Sequence, residues 1–155
     1  MTPRQIYLVQ STFRDVAAIK DQAAGLFYNK LFELDPKLKA LFKGDMREQG
    51  RKLMATIGVA VGSLRDLEAI LPTVHKLAMR HVDYGVKEAD YQTVGTALIW
   101  TLRKGLKEKF TPEVEQAWMA VYSGLSGIMI EAAREKPYRD EFLLLLSRAY
   151  AQRHG

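Results

Sequence analysis

The stretch Leu77-Ala78-Met79-Arg80-His81-Val82-Asp83-Tyr84-Gly85-Val86 decides how this chain is read. Leu67, Ile70, Leu71, Val74, Leu77, Ala78 and His81 recur at helical spacing, so His81 lies on the apolar stripe of an amphipathic helix. Gly85 ends that helix, and Pro72 is expected to bend or restart it. A histidine in this setting has two readings. It is a core residue with one ring nitrogen hydrogen-bonded, or a neutral imidazole that ligates a metal from inside the fold. His75 falls off the stripe and His154 lies near the C-terminus, so no second histidine is placed to build a multi-histidine site.

Outward from this segment the periodicity stays helical, with no alternating strand pattern. Thr2-Pro3-Arg4-Gln5 has the form of a capping box with proline at the first helical position. Ile6, Val9, Phe13 and Val16 follow as a stripe. Ala24, Phe27, Tyr28, Leu31 and Phe32 mark a second helix, which should stop at Asp35-Pro36. A short turn over Pro36 to Phe42 leads to a break at Gly44. Asp45 with Glu48 suggests another capping box, after which Met46, Gln49, Leu53, Ile57, Ala60 and Leu64 share a face. Downstream, Tyr91, Val94, Leu98, Leu102 and Leu106 form a fifth stripe. Thr111-Pro112 opens a sixth, carrying Ala117, Trp118, Val121, Tyr122, Leu125 and Met129, which Pro137 should close. The tail can form one more amphipathic helix. The expectation is an all-α chain of six or more helices.

The 155 residues suit one domain, and 48% hydrophobic with 26% charged residues excludes global disorder. There is no cysteine, which removes thiolate ligation and fits a reducing, cytoplasmic setting. The net charge of +5 comes from 23 basic and 18 acidic residues that alternate in sign, so a nucleic-acid partner is not expected. The longest late apolar run, Phe142 to Leu146, is far short of a membrane span, and the N-terminus does not read as a signal peptide.

Two polar residues interrupt apolar stripes. Gln49 is either a costly buried amide or a stripe-edge glutamine reaching water. Tyr28 is either a core aromatic or a phenol with a purpose. One histidine in an otherwise apolar interior suits haem, because the porphyrin supplies the four equatorial ligands.

Taken together, the chain resembles the globins, specifically single-domain bacterial globins and neuroglobin, over about residues 5–133. The resemblance rests on Asp35-Pro36 followed by Phe42, on Gln49-Gly50-Arg51-Lys52-Leu53-Met54, and on Arg80-His81 through Val86. Thr93-Val94-Gly95, Phe110-Thr111-Pro112, Ala117-Trp118 and Tyr122 complete it. It implies a three-on-three helical sandwich with a short third helix, a reduced or absent fourth, and a globin domain over 1–136. Residues 137–155 would be a helical extension.

The resemblance also implies roles. His81 is the proximal ligand of haem b (iron protoporphyrin IX), and Phe42 packs on the haem face. Tyr28 and Gln49 face the distal space, where their donors would hold a bound diatomic ligand and slow the release of O2. Leu53 caps that space, and Lys52 or Arg51 pairs with a propionate. Phe27, Ile57, Leu77, Val86, Tyr91, Val94, Leu98, Leu125 and Met129 line the rest. Neuroglobin uses a distal histidine as a sixth ligand; glutamine here implies a mainly five-coordinate ferrous haem. Tyr91 matches the proximal tyrosine of flavohaemoglobins, but the position of their partnering glutamate holds Ala133.

The implied function is reversible binding of O2, CO and NO. NO dioxygenation with a separate reductase is the enzymatic alternative, since the 155 residues hold no reductase. A gas or redox sensor acting through the tail is a further one. Phe142, Leu143, Leu146, Ala149 and Tyr150 could dock the tail on a partner or in a homodimer.

Overall fold

The computed structural model describes the backbone of residues 1–154 and the side chains of all but 136–144, 150, 153 and 154. Its six long helices are α1 (Pro3–Ala18), α2 (Lys20–Leu34), α3 (Met46–Gly62), α4 (Leu67–Asp83), α5 (Glu88–Leu106) and α6 (Pro112–His154). The start of α1 is the expected reciprocal cap: the Thr2 hydroxyl accepts from the Gln5 amide at 3.1 Å, and the Gln5 side chain accepts from the Thr2 amide at 3.0 Å. α2 stops at Asp35, held extended by the proline that follows. The Asp35 carboxylate then accepts from the Lys37 amide and opens a 3-10 turn, Pro36–Leu41. No helix intervenes between this turn and α3; Gly44, at φ +92°, makes the bend.

Three local expectations are corrected. Asp45 caps α3 by accepting from the Arg47 amide, but Glu48 turns to an ion pair with Arg51 instead of closing a box. Pro72 does not restart the helix but sits inside a continuous α4. Pro137 does not close α6, which runs unbroken to His154, so the tail is not a separate helix. A proline deletes one N–H from the ladder, and the turns on either side keep theirs.

The main core lies where α1, α5 and α6 meet. Val9, Leu102, Ala117 and Trp118 are sealed there with Val61 and Leu64 from the α3 end. The Trp118 indole N–H donates to the Thr12 hydroxyl at 2.9 Å, which donates on to the Leu8 carbonyl at 2.7 Å. The indole is thereby satisfied inside an apolar interior. Among the described residues, no helix is long and apolar enough to cross a membrane.

What positions the site is a contact that is nearly missing. α3 packs on α2 and α1, and α4 packs on α6, yet α3 and α4 make at most marginal contact with each other. Neither helix therefore closes over the apolar stripe of the other. On α3 only Gly50 and Val61 are buried, while Gln49, Leu53 and Ile57 are half-buried. On α4 only Val74 and Ala78 are buried, while Leu77 and His81 are half-buried. Periodicity located both stripes but could not tell a half-open face from a closed core.

Candidate functional site

The α2 side of the site is aromatic. Phe27 and Tyr28 come from α2, and Phe42 follows the 3-10 turn. The Tyr28 and Phe42 rings meet edge to face with centroids 5.2 Å apart, and Phe32 completes the cluster 5.5 Å from Phe42. Leu53, Val94 and Leu98 pack against this group. Ile57 and Leu125 pack instead against the main core. Val86 and Met129 are half-buried.

Tyr28 is 7% exposed, and burial pushes its phenol up to about 12. Its hydroxyl donates to the Gln49 carbonyl at 3.3 Å. The contact exists because α2 and α3 cross closely: a Cβ on Gly50 would come within 3.0 Å of the Ala24 Cβ. The structure therefore brings the two expected distal residues together, but through the Gln49 backbone. The Gln49 side-chain amide donates away, to the Lys43 carbonyl at 3.1 Å.

On the opposite side, His81 Nδ1 lies 2.7 Å from the Leu77 carbonyl oxygen. A carbonyl only accepts, so Nδ1 carries a proton, and in the neutral ring Nε2 is the nitrogen with a lone pair. The ring stacks on Tyr91, with centroids 6.2 Å apart and planes 22° apart. Tyr91 is held in turn from α6, where the Tyr122 hydroxyl donates to the Tyr91 carbonyl. Burial raises the phenol pKa of both tyrosines. The Tyr91 hydroxyl is buried with no hydrogen-bond partner among the described residues, and the position expected to lack a glutamate holds Ala133.

The chemistry of this donor set fits a haem better than a bare ion. Among the described residues, no group of three or more histidines, cysteines or carboxylates could hold a metal. A single imidazole with a free Nε2, beside half-buried apolar side chains, suits a planar apolar group that brings its own equatorial ligands. Lys52 is exposed on α3, and Arg51 is already paired with Glu48. His75 is half-buried on α4, and the side chain of His154 lies outside the described residues.

A globin family model matches residues 25–129. The chain belongs to the globin family. Globins are haem proteins, and the fold seen here is theirs: all-α, with the 3-10 turn Pro36–Leu41 standing where a short third helix was expected and no further helix before α3. The globin is 28% identical to a flavohemoprotein of Vibrio cholerae over 134 residues, 84% of this chain and 34% of that protein. It is 31% identical to a flavohemoprotein of Oceanobacillus iheyensis over 112 residues, 70% of this chain and 28% of that one. It thus spans about a third of the length of these curated relatives. Among solved structures, a bacterial globin from Campylobacter jejuni superposes with a TM-score of 0.77 at 26% identity, covering 89% of this chain and 99% of that one. An engineered carbene transferase from Rhodothermus marinus shares the fold, with a TM-score of 0.81 at 19% identity over 89% of this chain and 96% of its own.

Several contributions were not legible as such in the sequence. Leu77 reads as a pocket-lining side chain, yet its carbonyl orients His81. Tyr122 marks the family, but its clamp on Tyr91 comes from another helix. Gly95 carries the one available signal, a glycine inside a helical stripe: a Cβ there would stand 2.5 Å from the Tyr122 ring. In the tail, Leu146 is 50% exposed and Ala149 is exposed. Phe142, Leu143 and Tyr150 lie outside the residues with described side chains.

Proposed function

We propose that this globin reversibly binds O2, CO and NO at a haem b held between α3 and α4, with His81 Nε2 as its protein ligand. The observation that carries the reading is the 2.7 Å contact from His81 Nδ1 to the Leu77 carbonyl. It fixes the tautomer that leaves Nε2 available beside half-buried apolar residues. A bound haem would supply an iron able to take up a diatomic ligand.

The protein's own part is positioning and hydrogen bonding. Phe42, Leu53, Leu77, Val94 and Leu98 supply apolar surface, and Lys52 is the cation we assign to a propionate. Tyr28 Oη and Gln49 Nε2 are the distal donors. Each charge-assisted bond is worth about 1.5–3 kcal/mol, but each donor must first leave a carbonyl, Gln49 O for Tyr28 and Lys43 O for Gln49. The net stabilisation of a partly negative ligand is therefore smaller than two unengaged donors would provide. Glutamine is a poor iron ligand, so the reduced, ligand-free form should be five-coordinate. We place the protein in the cytoplasm, where the absence of thiols carries no penalty.

The flavohemoprotein likeness favours a second reading, NO dioxygenation. Each cycle would convert one NO and one O2 into nitrate and consume one electron, supplied by a separate reductase.

Absorption spectra of the purified protein, oxidised, reduced and CO-bound, test the first reading with His81→Ala alongside. Wild type should take up haem and give a five-coordinate reduced spectrum; His81→Ala should lose the proximal bond. A wild-type protein that takes up no haem would refute the proposal. Nitrate yield over many cycles with NADH and a reductase separates the two readings, since a carrier stops after one turnover.

A further inference from the structure

The positive charge of this chain is not spread evenly. Residues 37–52, from the 3-10 turn into α3, carry six basic and two acidic side chains, a net +4 of the chain's +5. The rest of the protein is almost neutral. All six basic residues, Lys37, Lys39, Lys43, Arg47, Arg51 and Lys52, are exposed. The two acids are engaged elsewhere than on most of these cations. The Asp45 carboxylate accepts from the Arg47 backbone amide, and Glu48 pairs with Arg51. Lys37, Lys39, Lys43, Arg47 and Lys52 have no ion pair among the described residues.

The charges converge in space and adjoin the site. Lys39, Arg47 and Arg51 border one hollow between the 3-10 turn and α3, and Met46, 37% exposed, lies among them. The Lys43 carbonyl accepts from the Gln49 side chain, and Phe42, whose ring meets Tyr28, lies in the same segment. A charged face with a small apolar contact suits a transient protein partner, and redox partners in particular meet through small, charge-matched contacts. The segment presents no exposed aromatic residue on which bases could stack, which disfavours a nucleic acid.

We propose that Lys37, Lys39, Lys43 and Arg47 dock the acidic face of a flavoprotein that reduces this globin. The inference rests on the NO dioxygenation reading, which draws one electron per cycle from a separate reductase. NADH gives electrons in pairs and the iron takes one, so the donor must carry a group that splits the pair, as a flavin does. The partner's reduced flavin loses one electron, and the ferric iron left by each cycle gains it and becomes ferrous. Lys52 stays with the propionate.

The probe is a flavodoxin, a small acidic FMN protein. Titrated into the nitrogen-15-labelled globin, it should shift backbone amides clustered in residues 37–52. In stopped flow, reduced flavodoxin should reduce the haem-loaded ferric protein at a rate that falls at least about tenfold from low salt to ~0.5 M. Lys39→Glu with Arg47→Glu should slow the low-salt rate by about tenfold or more and abolish the clustered shifts. Lys104→Glu with Lys107→Glu, the same change in net charge at the end of α5, should slow it by less than about twofold. Circular dichroism should be unchanged in both double variants. Absent or scattered shifts, equal slowing by the two double variants, or a stronger response of the same amides to single-stranded RNA or anionic vesicles would each overturn the proposal. A wild-type protein that takes up no haem would instead fail the functional reading, and the amide shifts would still decide the docking face.

Discussion

The same substitution should change stability in opposite directions at two glycines. At Gly95 an added Cβ would stand 2.5 Å from Tyr122 Cε1 and 3.0 Å from Cδ1, where buried Gly95 on α5 meets half-buried Tyr122 on α6. The ring cannot swing aside freely, because its hydroxyl is bonded to the Tyr91 carbonyl. Overpacking of this kind costs about 1–3 kcal/mol, and an approach this close belongs near the upper end. The helix-propensity gain of alanine over glycine returns about 1 kcal/mol, so Gly95→Ala should destabilise by about 2 kcal/mol. At Gly25 the propensity gain stands alone, and Gly25→Ala should stabilise by about 0.5–1 kcal/mol. Thermal melts of the two variants should differ by roughly 5–12 °C, at about 2–4 °C per kcal/mol for a chain of this size. The cause is isolated by repeating Gly95→Ala in a Tyr122→Ala background. With the ring gone, most of the penalty should vanish, a coupling of about 1–3 kcal/mol between neighbours. If both glycine variants shift the same way, or the Gly95→Ala penalty survives loss of the ring, the close crossing is not what Gly95 provides.

Other outcomes can be checked with similar means. Trp118→Phe removes the N–H bonded to Thr12 and leaves a small void, so urea unfolding should report a loss of about 1–3 kcal/mol with an unchanged m-value. The Tyr28 phenol, raised by burial to about 12, binds its proton more tightly folded than unfolded. Its contribution to stability is therefore complete below about pH 10 and is lost as the pH rises toward 12. Circular dichroism across that range should show alkaline destabilisation that Tyr28→Phe reduces. An identical profile in Tyr28→Phe would mean that this phenol does not sense its burial.

Much of the fold was legible because its signals are local. The Thr2/Gln5 cap and the Asp35-Pro36 stop depend on residues within one helical turn, and both occur as expected. Pro137 misled, because one missing N–H marks a boundary only when the surrounding turns also give way; α6 continues through it, and α4 does not restart at Pro72. At the site, stripe position was enough to select His81, Tyr28 and Gln49 as candidates. Side-chain direction was not, since Gln49 meets the Lys43 carbonyl, a backbone atom that leaves no trace in residue identity.

By itself the amino-acid sequence determined which faces are apolar, where most helices start and stop, and that a lone histidine interrupts an apolar stripe in a chain without cysteine. These follow from side-chain chemistry and helical period. Only the tertiary structure decided that the α3 and α4 stripes do not pack together, and that His81 Nδ1 is committed to the Leu77 carbonyl. It also decided that Tyr91 is held by a hydroxyl from α6. Each of these depends on how far apart two elements settle and which backbone carbonyls they expose. Helix crossings set those distances, and the same periodic pattern serves a closed interface or an open one.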